Sequence, residues 1–106
     1  MKINIKSTNM ELTDPIKAHV EDKIGSLKKY ISRYDEGDSV IVDVEVGRRN
    51  KHHKKGEVFR AEANLDLPGK MLRAEERDYD IYIAVNKVRG KIQREINKYK
   101  TERGDK

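Results

Sequence analysis

The sequence predicts a single α+β domain in which two helices pack on one face of a four-stranded sheet. The chain of 106 residues has the length of one domain. Alternating apolar residues predict four strands, and two segments with apolar residues three or four positions apart predict helices. The predicted order is β-α-β-β-β-α. Two amphipathic helices can together cover one face of a largely antiparallel sheet of this size.

The first half of the chain supplies a strand and a helix. The strand alternates, with Ile3 and Ile5 on its buried side. Thr13 is suited to cap the helix and Pro15 to its first turn. The helix should run for about four turns as an amphipathic element, although Gly25 inside it should weaken it by roughly 1 kcal/mol relative to alanine. Its apolar residues are Ile16, Val20, Ile24, Leu27 and Ile31.

The second half supplies three strands and a longer helix. Residues 40–46 alternate around four valines, and residues 59–67 alternate in the same way after a basic loop. After a Pro-Gly turn, a shorter strand is expected at about residues 70–77. Asp78 is suited to cap the last helix. The apolar stripe of that helix consists of Ile81, Ala84, Val85, Val88, Ile92, Ile96 and Tyr99.

The net charge of +5 is confined to two segments. Residues 47–56 carry five basic and no acidic side chains, and residues 79–100 carry six basic and two acidic ones. Residues 1–46 and 57–78 are each slightly acidic, with a net charge of −2. A surface that only has to be soluble more often mixes its charges along the chain. The clustering therefore favours binding to a polyanion.

Basic residues form a second stripe on the last helix, beside the apolar stripe. They lie within a sector about 60° wide, although like charges at these spacings mildly destabilise a helix. A solvent-exposed lysine-rich face is the ordinary alternative, but it should include more acids than Glu95. We predict that this stripe, the basic ridge, binds RNA and borders the groove between the two helices. The basic ridge consists of Lys87, Lys91, Arg94 and Lys98.

Two other regions could add to this surface. On the first helix, His19, Lys23 and Tyr30 lie along one flank of the apolar stripe, where Lys23 should extend the positive charge. Tyr30 fits base stacking and the edge of the core equally well. The loop at residues 47–56 is either a hairpin tip kept soluble by its charge or an arm that reaches phosphates, and the two interpretations are compatible. Its basic residues are Arg48, Arg49, Lys51, Lys54 and Lys55.

The sequence lacks the constellations typical of enzymes, metal sites and membrane proteins. It has no cysteine, and the adjacent His52 and His53 have no companion ligands. Glu75 and Glu76 should point to opposite faces of a strand, which makes them a poor acid–base pair. No apolar run approaches the roughly 18 residues that span a bilayer. We expect a cytoplasmic protein, monomeric when free, that is not an enzyme and has no cofactor, metal or small-molecule substrate.

Several stretches resemble the ribosome hibernation-promoting factor family, also known as sigma-54 modulation proteins, which includes the ribosome-associated inhibitor A type. Residues 1–6 (MKINIK), 11–16 (ELTDPI) and 23–30 (KIGSLKKY) look like the N-terminal half of these proteins. Residues 80–86 (DIYIAVN) resemble the family's Asp-x-Tyr-x-Ala-Ile-Asp/Asn helix. The resemblance covers nearly the whole chain in order, and the joint arrangement is more specific than any single motif.

The resemblance implies a fold akin to double-stranded-RNA-binding domains. It also implies binding to the small ribosomal subunit and its 16S-type rRNA, over the decoding region and the A and P sites. There, members of the family exclude tRNA and mRNA and silence idle ribosomes. Their rRNA contacts come largely from basic side chains on the two helices. The matching positions here are Lys23, Lys91, Arg94 and Lys98, whereas Lys87 is assigned by its place on the basic ridge.

Residues 1–100 are accordingly expected to form the ribosome-binding domain, and residues 101–106 a short polar tail. Long members of the family carry a further C-terminal domain that pairs two ribosomes. The chain is therefore either a short form or the N-terminal domain of a long form. A free-standing double-stranded-RNA-binding module that is not tied to the ribosome is the alternative function.

Overall fold

A computed structural model describes residues 1–49 and 58–104 and confirms the predicted α+β fold. The strands are β1 (Lys2–Thr8), β2 (Ile41–Arg48), β3 (Phe59–Leu67) and β4 (Lys70–Asp78). The helices are α1 (Asp14–Gly25), the single turn α2 (Lys28–Ile31) and α3 (Ile81–Glu102). Short 3-10 turns at Ser32–Tyr34 and Glu36–Asp38 connect α2 to β2. Helix α3 continues two residues past the domain end expected at residue 100.

The four strands lie in the order β1-β2-β3-β4. Strand β1 pairs in parallel with β2, with Lys2 opposite Ile41. The other two pairings are antiparallel. The parallel pairing is possible because α1 and α2 return the chain to the same end of the sheet before β2 begins. At the β2–β3 connection, the backbone N–H of Arg49 donates to the carbonyl oxygen of Val58 at 2.7 Å.

The helices cover one face of the sheet, and the core lies between the two layers. Alternate residues of β2, β3 and β4 are buried there, as the period of two predicts. Helix α3 packs over β3 and β4, and small side chains at the facing sheet positions accommodate it. These small residues are Ala61, Ala63 and Ala74. The largest fully buried side chains are Ile24, Leu27, Ile31, Leu65, Ile92 and Ile96.

The first predicted helix is not continuous, which corrects the expectation of one element of about four turns. At the end of α1 the hydroxyl of Ser26 donates to the carbonyl oxygen of Lys23 at 2.6 Å. The N–H of Leu27 then bonds to Ile24 only three residues back, at 3.0 Å. A serine hydroxyl that bonds to a preceding carbonyl competes with the helical ladder, and Gly25 weakens the ladder further. Periodicity missed the break because Ile24 and Leu27 are both buried.

The helix caps agree with the sequence at one end of the fold and differ at the other. The side chain of Thr13 accepts from the backbone N–H of Ile16 at 3.4 Å, which confirms the cap of α1. The cap of α3 is Asp80, whose carboxylate accepts from the N–H of Tyr82 at 2.8 Å. The prediction that Asp78 caps this helix was wrong. Strand β4 extends through Asp78, so the helix begins later than expected.

The opposite face of the sheet, the open face, carries a network of ion pairs centred on Arg60. Its guanidinium lies 3.0 Å from Glu45, 2.6 Å from Glu62 and 2.7 Å from Glu75. These three glutamates lie opposite one another on β2, β3 and β4. Arg73 also lies 2.6 Å from Glu62. Arginine thus separates a row of like charges that would otherwise repel across the strands.

Candidate nucleic-acid interface

The basic ridge runs along the flank of α3 that faces the edge strand β4. The Nζ atom of Lys87 lies 2.9 Å from a carboxylate oxygen of Asp78. The Nζ atom of Lys91 lies 3.3 Å from one of Glu76. Both acids belong to β4, so the ridge lies on the far side of α3 from α1. The prediction that it borders the groove between the helices was wrong. A helical wheel gives the angle between two stripes but not which flank meets the other helix.

The two halves of the ridge differ in their electrostatic state. The carboxylate of Asp78 is held ionised, because hydrogen bonds from Lys87 and from backbone amides lower its pKa. Arg94 and Lys98 are exposed, and neither forms a salt bridge within residues 1–49 and 58–104. An anion at the first half of the ridge must therefore displace an acid from β4. At the second half it meets charges without such a competitor.

Lys23 lies elsewhere, in the groove between α1 and α3. The helices meet there through His19, whose Nε2 is 3.2 Å from the carbonyl oxygen of Tyr82 and 2.9 Å from the Oδ1 of Asn86. The rings of His19 and Tyr82 are in edge contact, with centroids 4.9 Å apart. Helix α3 therefore separates Lys23 from the basic ridge, and the residues expected to form one surface lie on two. The groove is lined by Asp22, Lys23, Ser26, Asn86 and Arg89.

Arg89 is a basic residue of this groove that the sequence analysis missed. Its Nε donates to the hydroxyl of Ser26 at 3.1 Å, and its Nη1 donates to Gln93. Its guanidinium also lies over the ring of Tyr30, with Cζ 5.8 Å from the ring centroid. The wheel contained a signal, because Arg89 borders the apolar stripe on the edge opposite the ridge. The Gln93 partner lies four positions further on, on the same flank.

The other sequence-predicted residues have mixed outcomes. Tyr30 packs against the core at its edge, with Lys29 at 5.2 Å from its ring centroid as well. Arg48 is exposed at the end of β2, and its guanidinium lies 6.0 Å from the centroid of Phe59. Arg49 follows it, at the start of the connection. The predictions for Lys51, Lys54 and Lys55 lie outside the described residues.

The described part of the chain also bears on other kinds of site. Glu75 joins the open face through Arg60, whereas Glu76 contacts Lys91 on the helix side, so the expectation that they diverge is confirmed. Within residues 1–49 and 58–104, no group of three or more histidines or acids is arranged to hold a metal ion. No helix there has the length and apolar character needed to cross a membrane.

Comparison with known proteins supports the resemblance found in the sequence. Ribosome hibernation promotion factors from Lactococcus lactis subsp. cremoris and Bacillus subtilis are 40% and 34% identical to this chain. The matches cover 95% and 96% of the chain. The chain spans about half the length of each of these relatives, since the matches cover 50% of both.

Solved structures show the same fold. The N-terminal domain of Thermus thermophilus Protein Y matches with a TM-score of 0.73 and 29% identity, covering 93% of this chain and 99% of that one. A ribosomal subunit interface protein from Coxiella burnetii has the same fold, with a TM-score of 0.70 at 20% identity. The family model for sigma 54 modulation protein / S30EA ribosomal protein matches residues 3–103. The chain therefore belongs to this family.

Proposed function

We propose that this domain is a ribosome hibernation factor that binds the small ribosomal subunit and its 16S-type rRNA. It occupies the decoding region and the A and P sites, blocks tRNA and mRNA, and inhibits translation in idle cells. The observation that carries the proposal is the basic ridge on α3 in a member of this family. The open face, by contrast, pairs its own charges across the strands.

Steric occlusion suits the chemistry of the surface. From Lys87 to Lys98 the ridge extends for about 16 Å along the helix, which allows contact with several phosphates. Blocking a binding site needs shape and charge and no reacting group, so the proposed role is non-enzymatic. Action as a free monomer in the cytoplasm is part of the same proposal. The basic residues of the β2–β3 connection are secondary contacts: Arg48, Arg49, Lys51, Lys54 and Lys55.

Charge reversal of the ridge tests the proposal. The double variant Lys91→Glu, Arg94→Glu should lose co-sedimentation with purified bacterial small subunits while keeping the circular dichroism spectrum and melting behaviour of a folded domain. Binding lost through phosphate contacts should also become less dependent on salt, by about one unit of log–log slope per contact. The matched control is Lys2→Glu, Lys17→Glu, which makes the same change in net charge at two exposed lysines off the ridge.

Two outcomes contradict parts of this proposal. Unchanged binding by the ridge variant would remove the ridge from the site. Comparable affinity of the wild-type chain for a plain RNA duplex and for the small subunit would favour the alternative of a free-standing double-stranded-RNA-binding module.

A further inference from the structure

We infer that α3 carries a second RNA-phosphate site on its other flank, in the groove between α1 and α3. This groove site consists of Arg89, Lys23 and Ser26. The inference rests on the proposed function and extends it, because it names a contact on a different surface from the basic ridge. Phosphate groups of the RNA backbone are the ligand.

The guanidinium of Arg89 is held in a fixed orientation by uncharged groups. Ser26, Gln93 and the ring of Tyr30 contact it. These contacts use two of the five N–H donors of arginine, so three donors remain for a ligand. A planar fork that is already oriented matches the two oxygens of a phosphate and loses less side-chain entropy on binding.

The charge of the groove site is available to an anion. Within the described ranges 1–49 and 58–104, neither Arg89 nor Lys23 forms a salt bridge with a carboxylate. Asp22 is the acid that lines the same groove, opposite two cations. The groove has a volume of about 310 Å³ and is open to solvent. A phosphate can therefore enter without displacing an intramolecular counterion, in contrast to the situation at Lys87 and Lys91.

The break between α1 and α2 builds this site. Because Ser26 leaves the regular helix, its hydroxyl can donate to Lys23 and at the same time accept from Arg89. One serine thus links the two basic residues through the main chain of one and the side chain of the other. The break also places Tyr30 beside the guanidinium. A continuous helix, as the sequence predicted, would leave the Ser26 hydroxyl in a different position.

RNA is the occupant that the surrounding charge favours. The groove site lies on one flank of α3 and the basic ridge on the other, so the helix presents cations to two sides. A single phosphate backbone or two neighbouring ones can satisfy both flanks, and both belong to the same polyanion. An acidic segment of a ribosomal protein is the competing occupant, which the experiment below separates from RNA.

The central test is Arg89→Gln, measured by binding to purified bacterial small subunits at several salt concentrations. We expect the affinity to fall by about tenfold, as for loss of a charged hydrogen-bonding group, and the salt slope to fall by about one unit. The control Lys17→Gln removes the same charge from α1 at a position about 200° around the helix from His19. Arg89→Lys keeps the charge without the fork and should be intermediate. An Arg89→Gln variant that behaves like Lys17→Gln overturns the groove site.

The role of Ser26 as a positioning residue has its own signature. Ser26→Ala should lower the affinity less than Arg89→Gln does, and it should leave the salt slope unchanged because no charge is lost. Thermal melts of both variants separate this effect from general unfolding. An equal loss of salt slope in Ser26→Ala would contradict a positioning role.

The nature of the ligand can be read out directly, because the chain has no cysteine. Asp22→Cys gives a unique attachment point for an iron chelate at the edge of the groove. The tethered chelate should cleave the rRNA backbone in the complex. Intact binding without rRNA cleavage overturns RNA as the occupant. A wild-type chain that fails to bind small subunits contradicts the proposed function instead, and the groove site is then judged with the same variants on duplex RNA.

Discussion

The Nζ atom of Lys91 lies 3.3 Å from the Oε2 atom of Glu76, so an acid from the sheet accompanies a central residue of the basic ridge. Lys87 is paired in the same way with Asp78. The exposed fractions of the Lys91 and Glu76 side chains are 44% and 32%. Exposed pairs of this kind contribute about 1 kcal/mol at most, so an RNA phosphate can replace the acid at little cost.

Removing the acid should strengthen RNA binding. Glu76→Gln frees Lys91 from its counterion, and we expect the affinity for small subunits to rise by about two- to fivefold, in line with the energy of an exposed ion pair. Sedimentation or fluorescence anisotropy at fixed salt measures the change. Glu11→Gln makes the same change in net charge at an exposed position and serves as the control. An equal rise in both variants would show that overall charge, rather than the pairing with Lys91, is responsible.

Arg60 should be the most sensitive residue of the open face. Arg60→Gln leaves Glu45, Glu62 and Glu75 opposite one another without their shared counterion. We expect the free energy of unfolding to fall by about 1–2 kcal/mol, less than for a fully buried pair. Urea denaturation measures it. The comparison Arg73→Gln, at a side chain that is 60% exposed, should cost clearly less, and an equal or larger cost there would contradict the central role of Arg60.

The same network should make stability depend on pH. A hydrogen bond from Arg60 lowers the pKa of Glu75, and one from Arg73 lowers the pKa of Glu62, from an ordinary value of 4.5. A carboxyl whose pKa is lowered in the folded state adds stability above its ordinary pKa and loses it as the pH falls through the lowered value. The difference in unfolding free energy between wild type and Arg60→Gln should therefore be constant from pH 6 to 8 and shrink below about pH 4.5. A difference that grows in acid would contradict this.

Two glycines should respond in opposite directions to alanine. Gly90 lies inside α3, and an added Cβ would meet only the flexible side chain of Arg94 at 3.6 Å. Gly90→Ala should stabilise the domain by about 0.5–1 kcal/mol. Gly37 has a φ of 59°, so Gly37→Ala should destabilise it by about 1 kcal/mol. Thermal melts measure both, and stabilisation by Gly37→Ala would contradict the left-handed conformation of that turn.

The hydroxyl of Tyr99 joins the end of α3 to the β3–β4 turn. It donates to the carbonyl oxygen of Pro68 at 2.6 Å, and the side chain is buried. Tyr99→Phe keeps the edge contact with the ring of Tyr34 but removes this bond, and it should cost about 0.5–1.5 kcal/mol of unfolding free energy. Tyr79→Phe, at a ring that is 68% exposed, should be neutral. Equal effects of the two variants in urea denaturation would contradict the anchoring role.

The fold was largely accessible from the sequence because strand and helix periodicity are properties of single elements. The alternation around the valines of β2 and the apolar stripe of α3 predicted which faces are buried, and both are buried as expected. The boundaries were less accessible. The break at Ser26 depends on a side chain that bonds back to the main chain, and the cap at Asp80 depends on where β4 ends. Neither changes the spacing of apolar residues.

By itself the sequence determined the order of the elements, the core-facing positions and the clustering of positive charge on α3. These are local properties, carried by the residues of each segment. Only the tertiary structure decided that Glu76 and Asp78 of β4 neutralise half of the ridge, and that Lys23 meets Arg89 on the other flank of α3. Those relationships join residues far apart in the chain. A helical wheel cannot supply them, because it places side chains around an axis without naming the elements packed on either side.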